Sequence, residues 1–156
     1  MKDRILLGML TPSSNTILEP VTAAMIAGLP EVSAHFSRFP VTEIALSERA
    51  LKQFDHTEIL RAAELLSHAE VDVIAWNGTS SGWLGFDTDE RLCGLLSHAT
   101  GIPACTSVLA LNEELEAQTG IPIYDTVATA VWKCLEVAGV DVRRVKGWGR
   151  LFRELR

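Results

Sequence analysis

Two apolar runs, Ile5-Leu6-Leu7-Gly8-Met9-Leu10 and Val71-Asp72-Val73-Ile74-Ala75-Trp76, each stop abruptly in a loop built from hydroxyls, amides and glycine. The first loop is Pro12-Ser13-Ser14-Asn15 and the second is Asn77-Gly78-Thr79-Ser80-Ser81-Gly82; a helix-like stretch follows each. Short β-branched and aliphatic runs bounded by turn residues read as strands buried in a parallel sheet. Parallel strands feeding helices finish on the same edge of the sheet, the edge at which open α/β sheets bind ligands. Backbone N–H groups at a helix start, with serine and threonine hydroxyls beside them, suit a carboxylate or phosphate.

The rest of the chain alternates in the same way. Strands are predicted near 4–10, 32–38, 71–76 and 102–105, with a short one near 121–124; helices are predicted over 14–28, 56–69, 88–99, 107–117 and 126–138. The pattern predicts an α/β fold: a single open parallel sheet of about four main strands with helices on both faces. Its 156 residues suit one ordinary domain with a real core. Asp55 with Glu58, and Asp87 with Glu90, have capping-box spacing. Val127, Val131, Cys134, Leu135 and Ala138 give the last long helix one apolar face. Thr100-Gly101-Ile102-Pro103 recurs as Thr119-Gly120-Ile121-Pro122, each copy leading through a short turn into a helix.

Composition excludes several functions. A formal charge of −6 argues against a nucleic-acid partner. The basic cluster Arg143, Arg144 and Lys146 reads as a solvated tail. No apolar stretch approaches the roughly 20 residues of a membrane span. Met1-Lys2-Asp3-Arg4 leads straight into a strand without a signal-peptide pattern, so the expected compartment is the cytoplasm. Cys93, Cys105 and Cys134 form no C-x-x-C pair and read as reduced thiols, not as a disulfide framework or zinc site. With no G-x-G-x-x-G, Walker loop or H-E-x-x-H, neither a nucleotide cofactor nor a metal is implied.

Thr11-Pro12-Ser13-Ser14-Asn15-Thr16, together with Asp72-Val73-Ile74-Ala75-Trp76-Asn77-Gly78-Thr79-Ser80, resembles the aspartate/glutamate racemase superfamily, most closely its maleate cis-trans isomerase and arylmalonate decarboxylase branch. Arg38-Phe39-Pro40-Val41-Thr42-Glu43-Ile44 and Gly147-Trp148-Gly149-Arg150-Leu151-Phe152 extend the likeness. The resemblance implies one half of a two-domain racemase fold. Residues 1–118 would be the first α/β domain, and 119–156 a remnant of the second, comprising a terminal strand, helix and tail packed on it. It implies cofactor-independent chemistry beside a carboxylate, with a small carboxylate or dicarboxylate as ligand. The exposed domain face then implies a homodimer.

Substrate carboxylate binding falls to Ser13, Ser14, Asn15, Gly78, Thr79 and Ser80, with Arg38 ending the second strand on the same edge as a bidentate partner. Helix capping and turn formation alone also explain Ser, Thr and Asn there, and Arg38 also reads as a surface residue. The resemblance places catalytic cysteines at two strand ends. Here the first position is Gly78, as in the decarboxylase branch, and the second belongs to the segment the chain lacks. Cys105, in Cys105-Thr106-Ser107, is the candidate substitute; Cys93 and Cys134 read as core. His68 and His98 fall at helix C-termini on the opposite edge, His35 inside a strand and His56 at a helix start. Tyr124, Asp125 and Thr126 form the turn before the last helix, with Asp125 as its N-cap.

Overall fold

The computed structural model describes residues 4–42, 56–78, 86–110, 126–145 and Phe152. Four parallel strands form one sheet in the order β2-β1-β3-β4. The apolar run after Arg4 becomes β1 (Ile5–Pro12), the central strand. On one side it pairs with β2 (Val32–Phe39), from Ile5 opposite Val32 to Pro12 opposite Phe39. On the other it pairs with β3 (Val73–Trp76), from Leu7 opposite Val73 to Leu10 opposite Trp76. The three-residue β4 (Ala104–Thr106) closes that side. These are the four main strands expected; residues 121–124 lie outside the described residues.

Alternating side chains divide the core into two layers. Leu7 and Met9 of β1, with Val73 and Ala75 of β3, pack under α1 (Leu18–Ile26) and α4 (Thr126–Val137), joined by Val131, Cys134 and Leu135. Leu10, Ile74 and Trp76 pack on the other face against α2 (His56–Ser67) and α3 (Phe86–Thr100), through Ile59, Ala63, Leu92 and Leu96. Helix α4, which the sequence reading assigned to the second-domain remnant, thus shares a core with β1 and α1. The apolar face predicted for it is the one that packs. Among the described residues, no helix is long and apolar enough to cross a membrane.

Two boundaries depart from the sequence reading. Helix α1 begins at Leu18, four residues later than predicted, while β1 runs on to Pro12. In the intervening residues the Ser13 hydroxyl is bonded to the Val41 backbone and Arg38 holds the loop carbonyls, as described below. Helix α3 begins at Phe86, which puts Asp87 inside its first turn instead of at the cap. It ends where Gly101, at φ 71°, takes the left-handed conformation that glycine adopts without a Cβ clash. The Thr100 hydroxyl donates to Leu96 C=O (2.7 Å) and accepts from Ile102 N–H (3.2 Å), turning the chain into β4. The second copy of that tetrapeptide lies outside the described residues, as does Asp55.

Candidate functional site

From β1 the chain goes to β2 on one side and later to β3 on the other, so its direction of winding reverses between β1 and β3. At such a reversal the helices leave on opposite faces and open a crevice beyond the strand ends. Both hydroxyl-rich loops begin there.

The first loop is constructed largely by its neighbours. Ser13 N–H donates to Phe39 C=O at 2.9 Å. Its hydroxyl oxygen accepts from Val41 N–H (3.0 Å) and donates to Val41 C=O (3.2 Å), stapling the loop to the segment after β2. Asn15 Oδ1 accepts from Ile17 N–H and Leu18 N–H, both at 2.9 Å, which satisfies donors at the start of α1. Arg38 lies on the expected edge. Its Nη1 donates to the carbonyls of Ser13 (3.0 Å) and Asn15 (2.9 Å), and Nη2 meets Glu19 Oε1 at 2.7 Å. The guanidinium therefore gathers the loop carbonyls, fixing the direction of the loop. Ser14 remains exposed at its tip.

The second loop leaves β3 beside it. Trp76 is fully buried and its ring meets Phe39 at 4.9 Å between centroids. Gly78 follows with no room for a side chain, since a Cβ there would sit 2.7 Å from Trp76 Cζ2. The glycine lets the backbone pass close against the Trp76 ring, and it does not have a positive φ. Thr79 and Ser80 lie outside the described residues. From β4, the Ser107 hydroxyl donates to Gly78 C=O at 3.1 Å, and Thr106 Oγ1 accepts from Leu109 N–H at 3.0 Å, capping the helical backbone over 107–110.

Two residues missed by sequence reasoning lie between the loops. Thr11 is fully buried, yet among the described residues its Oγ1 has no hydrogen-bond partner; Asn77 is 4% exposed and its Nδ2 has none there either. Leu10 pairs with Trp76 and accepts from Asn77 N–H, so Thr11 and Asn77 occupy the next positions of adjacent strands. Strand alternation places both on the α1 face, where Thr22 of α1 carries a third unpartnered hydroxyl. The large majority of buried side-chain polar atoms are paired, so a cluster of exceptions at a strand edge is unusual. The available signal was a polar residue closing each apolar run.

The other candidates fall elsewhere. Cys105 belongs to the core layer under α4, its sulfur 3.9 Å from Cys134 Sγ. Contact with Cys105, and then burial, push the Cys134 thiol well above the usual range, so Cys134 stays protonated. His35 sits in β2 and shares a 3.0 Å hydrogen bond with Ser33 Oγ. His68 follows α2 and His98 closes α3, both away from the ligand edge. A cavity of about 480 Å³ opens at that far edge beside Ile5, Glu31, Asp72 and Arg144, but its charges are paired. Arg144 meets Glu31, Arg143 meets Asp141, and Asp72 Oδ2 accepts from Leu6 N–H at 2.8 Å. Arg143 and Arg144 thus belong to ion pairs instead of a free tail. Among the described residues no group of three or more His, Cys, Asp or Glu is arranged to hold a metal ion. Tyr124 and Asp125 lie outside them.

Strand order, chain reversal and helices on both faces define an open, parallel α/β domain. Among solved structures the chain is similar to a maleate isomerase from Pseudomonas putida with maleate, at 23% identity and a TM-score of 0.59. It is also similar to a Nocardia farcinica maleate cis-trans isomerase carrying a covalently bound succinylcysteine intermediate, at 21% and 0.65. Each match covers 87% of this chain and 60% of the isomerase, so the chain spans about three fifths of their length. A match to arylmalonate decarboxylase covers 96% of this chain and 100% of the other, at 17% identity and a TM-score of 0.69. No family model and no curated protein matches the sequence. The likeness to these structures is one of fold.

Proposed function

We propose that the chain is a cofactor-independent, racemase-superfamily protein that binds a small dicarboxylate at the carboxyl ends of β1 and β3. The observation that carries this reading is the pair of buried, unpartnered polar atoms, Thr11 Oγ1 and Asn77 Nδ2, between two hydroxyl-rich loops at the chain reversal. Ser14, Asn15, Thr79 and Ser80 would hold one carboxylate at the loop tips, with Ser13 and Arg38 shaping the first loop and Gly78 admitting close approach. The neighbours named for maleate isomerisation and arylmalonate decarboxylation support a ligand of that class. Cytoplasmic residence and a homodimer covering the face used by a second domain complete the proposal.

A second reading, binding with little or no turnover, is favoured by Gly78. A glycine has no group to move a proton or attack carbon, and the Trp76 ring fills the space a reactive side chain would need. General acid–base help is typically worth ~10²–10⁴-fold, so its absence leaves binding as the main activity. Titration with malonate and maleate, followed by calorimetry and amide chemical shifts, tests the proposal. Millimolar affinity, about −4 kcal/mol, is expected, with Ser14, Asn15, Thr79 and Ser80 shifting together. Absence of binding at tens of millimolar, or shifts confined to residues 143–146, would overturn it. Assays for isomerisation, racemisation and decarboxylation, with Cys105→Ser as control, separate the two readings.

A further inference from the structure

Away from the strand-end loops, the α1/α4 layer contains two thiols in contact. Cys105 Sγ of β4 lies 3.9 Å from Cys134 Sγ of α4. Their environments differ: Cys134 is fully buried, whereas Cys105 retains 6% exposure and lines a cavity of about 250 Å³ beside β4. Glu90, Cys93 and Lys133 line the same cavity. A small solute in that cavity reaches Cys105, and Cys134 lies in contact with the Cys105 sulfur on the buried side.

We propose that Cys105 and Cys134 form a hydroperoxide-reactive dithiol, with Cys105 as the attacking sulfur and Cys134 as the resolving one. The Cys105 thiolate attacks one oxygen of hydrogen peroxide and the O–O bond breaks. The other oxygen leaves as hydroxide and takes up the proton Cys105 gave up, forming water. Cys105 is thereby oxidised to a sulfenic acid, the reversible first step of cysteine oxidation. The Cys134 thiol then attacks the sulfenic sulfur as its proton passes to the sulfenic oxygen, and the S–O bond breaks with loss of a second water. Two thiols and one peroxide become one disulfide and two waters.

A disulfide needs sulfurs about 2.05 Å apart, so the pair must close by roughly half its present separation. β4 is suited to that adjustment, because it contains only three residues and, among the described residues, pairs with β3 alone. Thr106 and Ser107 follow Cys105 directly, and Ser107 holds Gly78 C=O. Oxidation therefore reaches the second loop of the candidate site through two residues of backbone.

The test exposes the reduced full chain to a small excess of hydrogen peroxide and follows intact mass and peptide maps under non-reducing conditions. The expected product is a monomeric chain lighter by about 2 Da, with Cys105 linked to Cys134, Cys93 still open to alkylation, and full reversal by a reducing thiol. Cys134→Ser should trap the sulfenic acid at Cys105, detectable with dimedone, and Cys105→Ser should abolish both products. A Cys93–Cys105 link, dimers joined through Cys93, or direct gain of about 32 Da as sulfinic acid without the internal disulfide would overturn the proposal. Should either variant fail to fold, the wild-type peptide map decides alone.

Discussion

The indole of Trp76 lies across the space in which a side chain at Gly78 would begin, with Cζ2 only 2.7 Å from an ideal Cβ. Trp76 is itself fully buried and stacked at a tilt on Phe39, so the ring has little freedom to yield. Gly78→Ala and Gly78→Cys are therefore expected to destabilise the fold by about 1–3 kcal/mol, the usual cost of overpacking. Thermal denaturation checks this. A Gly78→Ala chain as stable as wild type would mean that the ring moves aside freely.

Thr11 gives a prediction in which stability and binding move in opposite directions. A buried hydroxyl without a partner costs about 1–3 kcal/mol, and valine has nearly the same shape without the hydroxyl. Thr11→Val should raise the melting temperature of the ligand-free protein and weaken malonate or maleate binding several-fold. Calorimetry on the two proteins separates the effects. Unchanged affinity in a stabilised variant would remove Thr11 from the site while leaving the loops in it.

Arg38 and Glu19 should behave unequally although they share an ion pair. Both side chains are exposed, at 37% and 43%, and such a pair is worth about 0–1 kcal/mol. Glu19→Ala should hardly alter stability or ligand affinity. Arg38→Lys, which keeps the charge but loses the planar fork that holds Nη1 on the Ser13 and Asn15 carbonyls while Nη2 meets Glu19, should loosen the loop. Larger amide shifts at Ser14 and Asn15 in Arg38→Lys than in Glu19→Ala are the expected result.

The far edge of the sheet should set part of the acid response. The Arg144 guanidinium holds the Glu31 carboxyl below its usual range. A lowered carboxyl pKa contributes stability above the unfolded value, and that contribution disappears as pH falls through the folded one. Any stability difference between wild type and Glu31→Gln should thus be present at neutral pH and fade as the pH drops below the ordinary glutamate range. Melting curves over pH 3–7 check the sign, and a difference that grows on acidification would contradict it.

The order of strands and helices, and the edge carrying the loops, were legible because apolar runs and turn residues report local structure. The start of α1 was not. Asn15 and Ser13 look helix-compatible locally, but Ser13 is stapled to Val41 and the loop carbonyls are gathered by Arg38. Similarly, Arg143 and Arg144 looked like a solvated cluster until Glu31 and Asp141 were brought beside them. Of the candidate site, Ser13, Ser14, Asn15, Arg38 and Gly78 share one edge as expected. The unpartnered atoms of Thr11 and Asn77 depend on adjacent strands coming into register, which no local pattern encodes.

The sheet is unevenly sewn. β1 and β2 are paired over eight positions, whereas β3 and β4 share three. Opening should therefore proceed from the β4 side, with amide protons at 104–106 exchanging sooner than those in the middle of β1. Since Ser107 anchors Gly78 from that side, each brief opening would also release one wall of the candidate site. Ligand admission and the least protected amides of the sheet would then share a single rate, set by a strand of three residues.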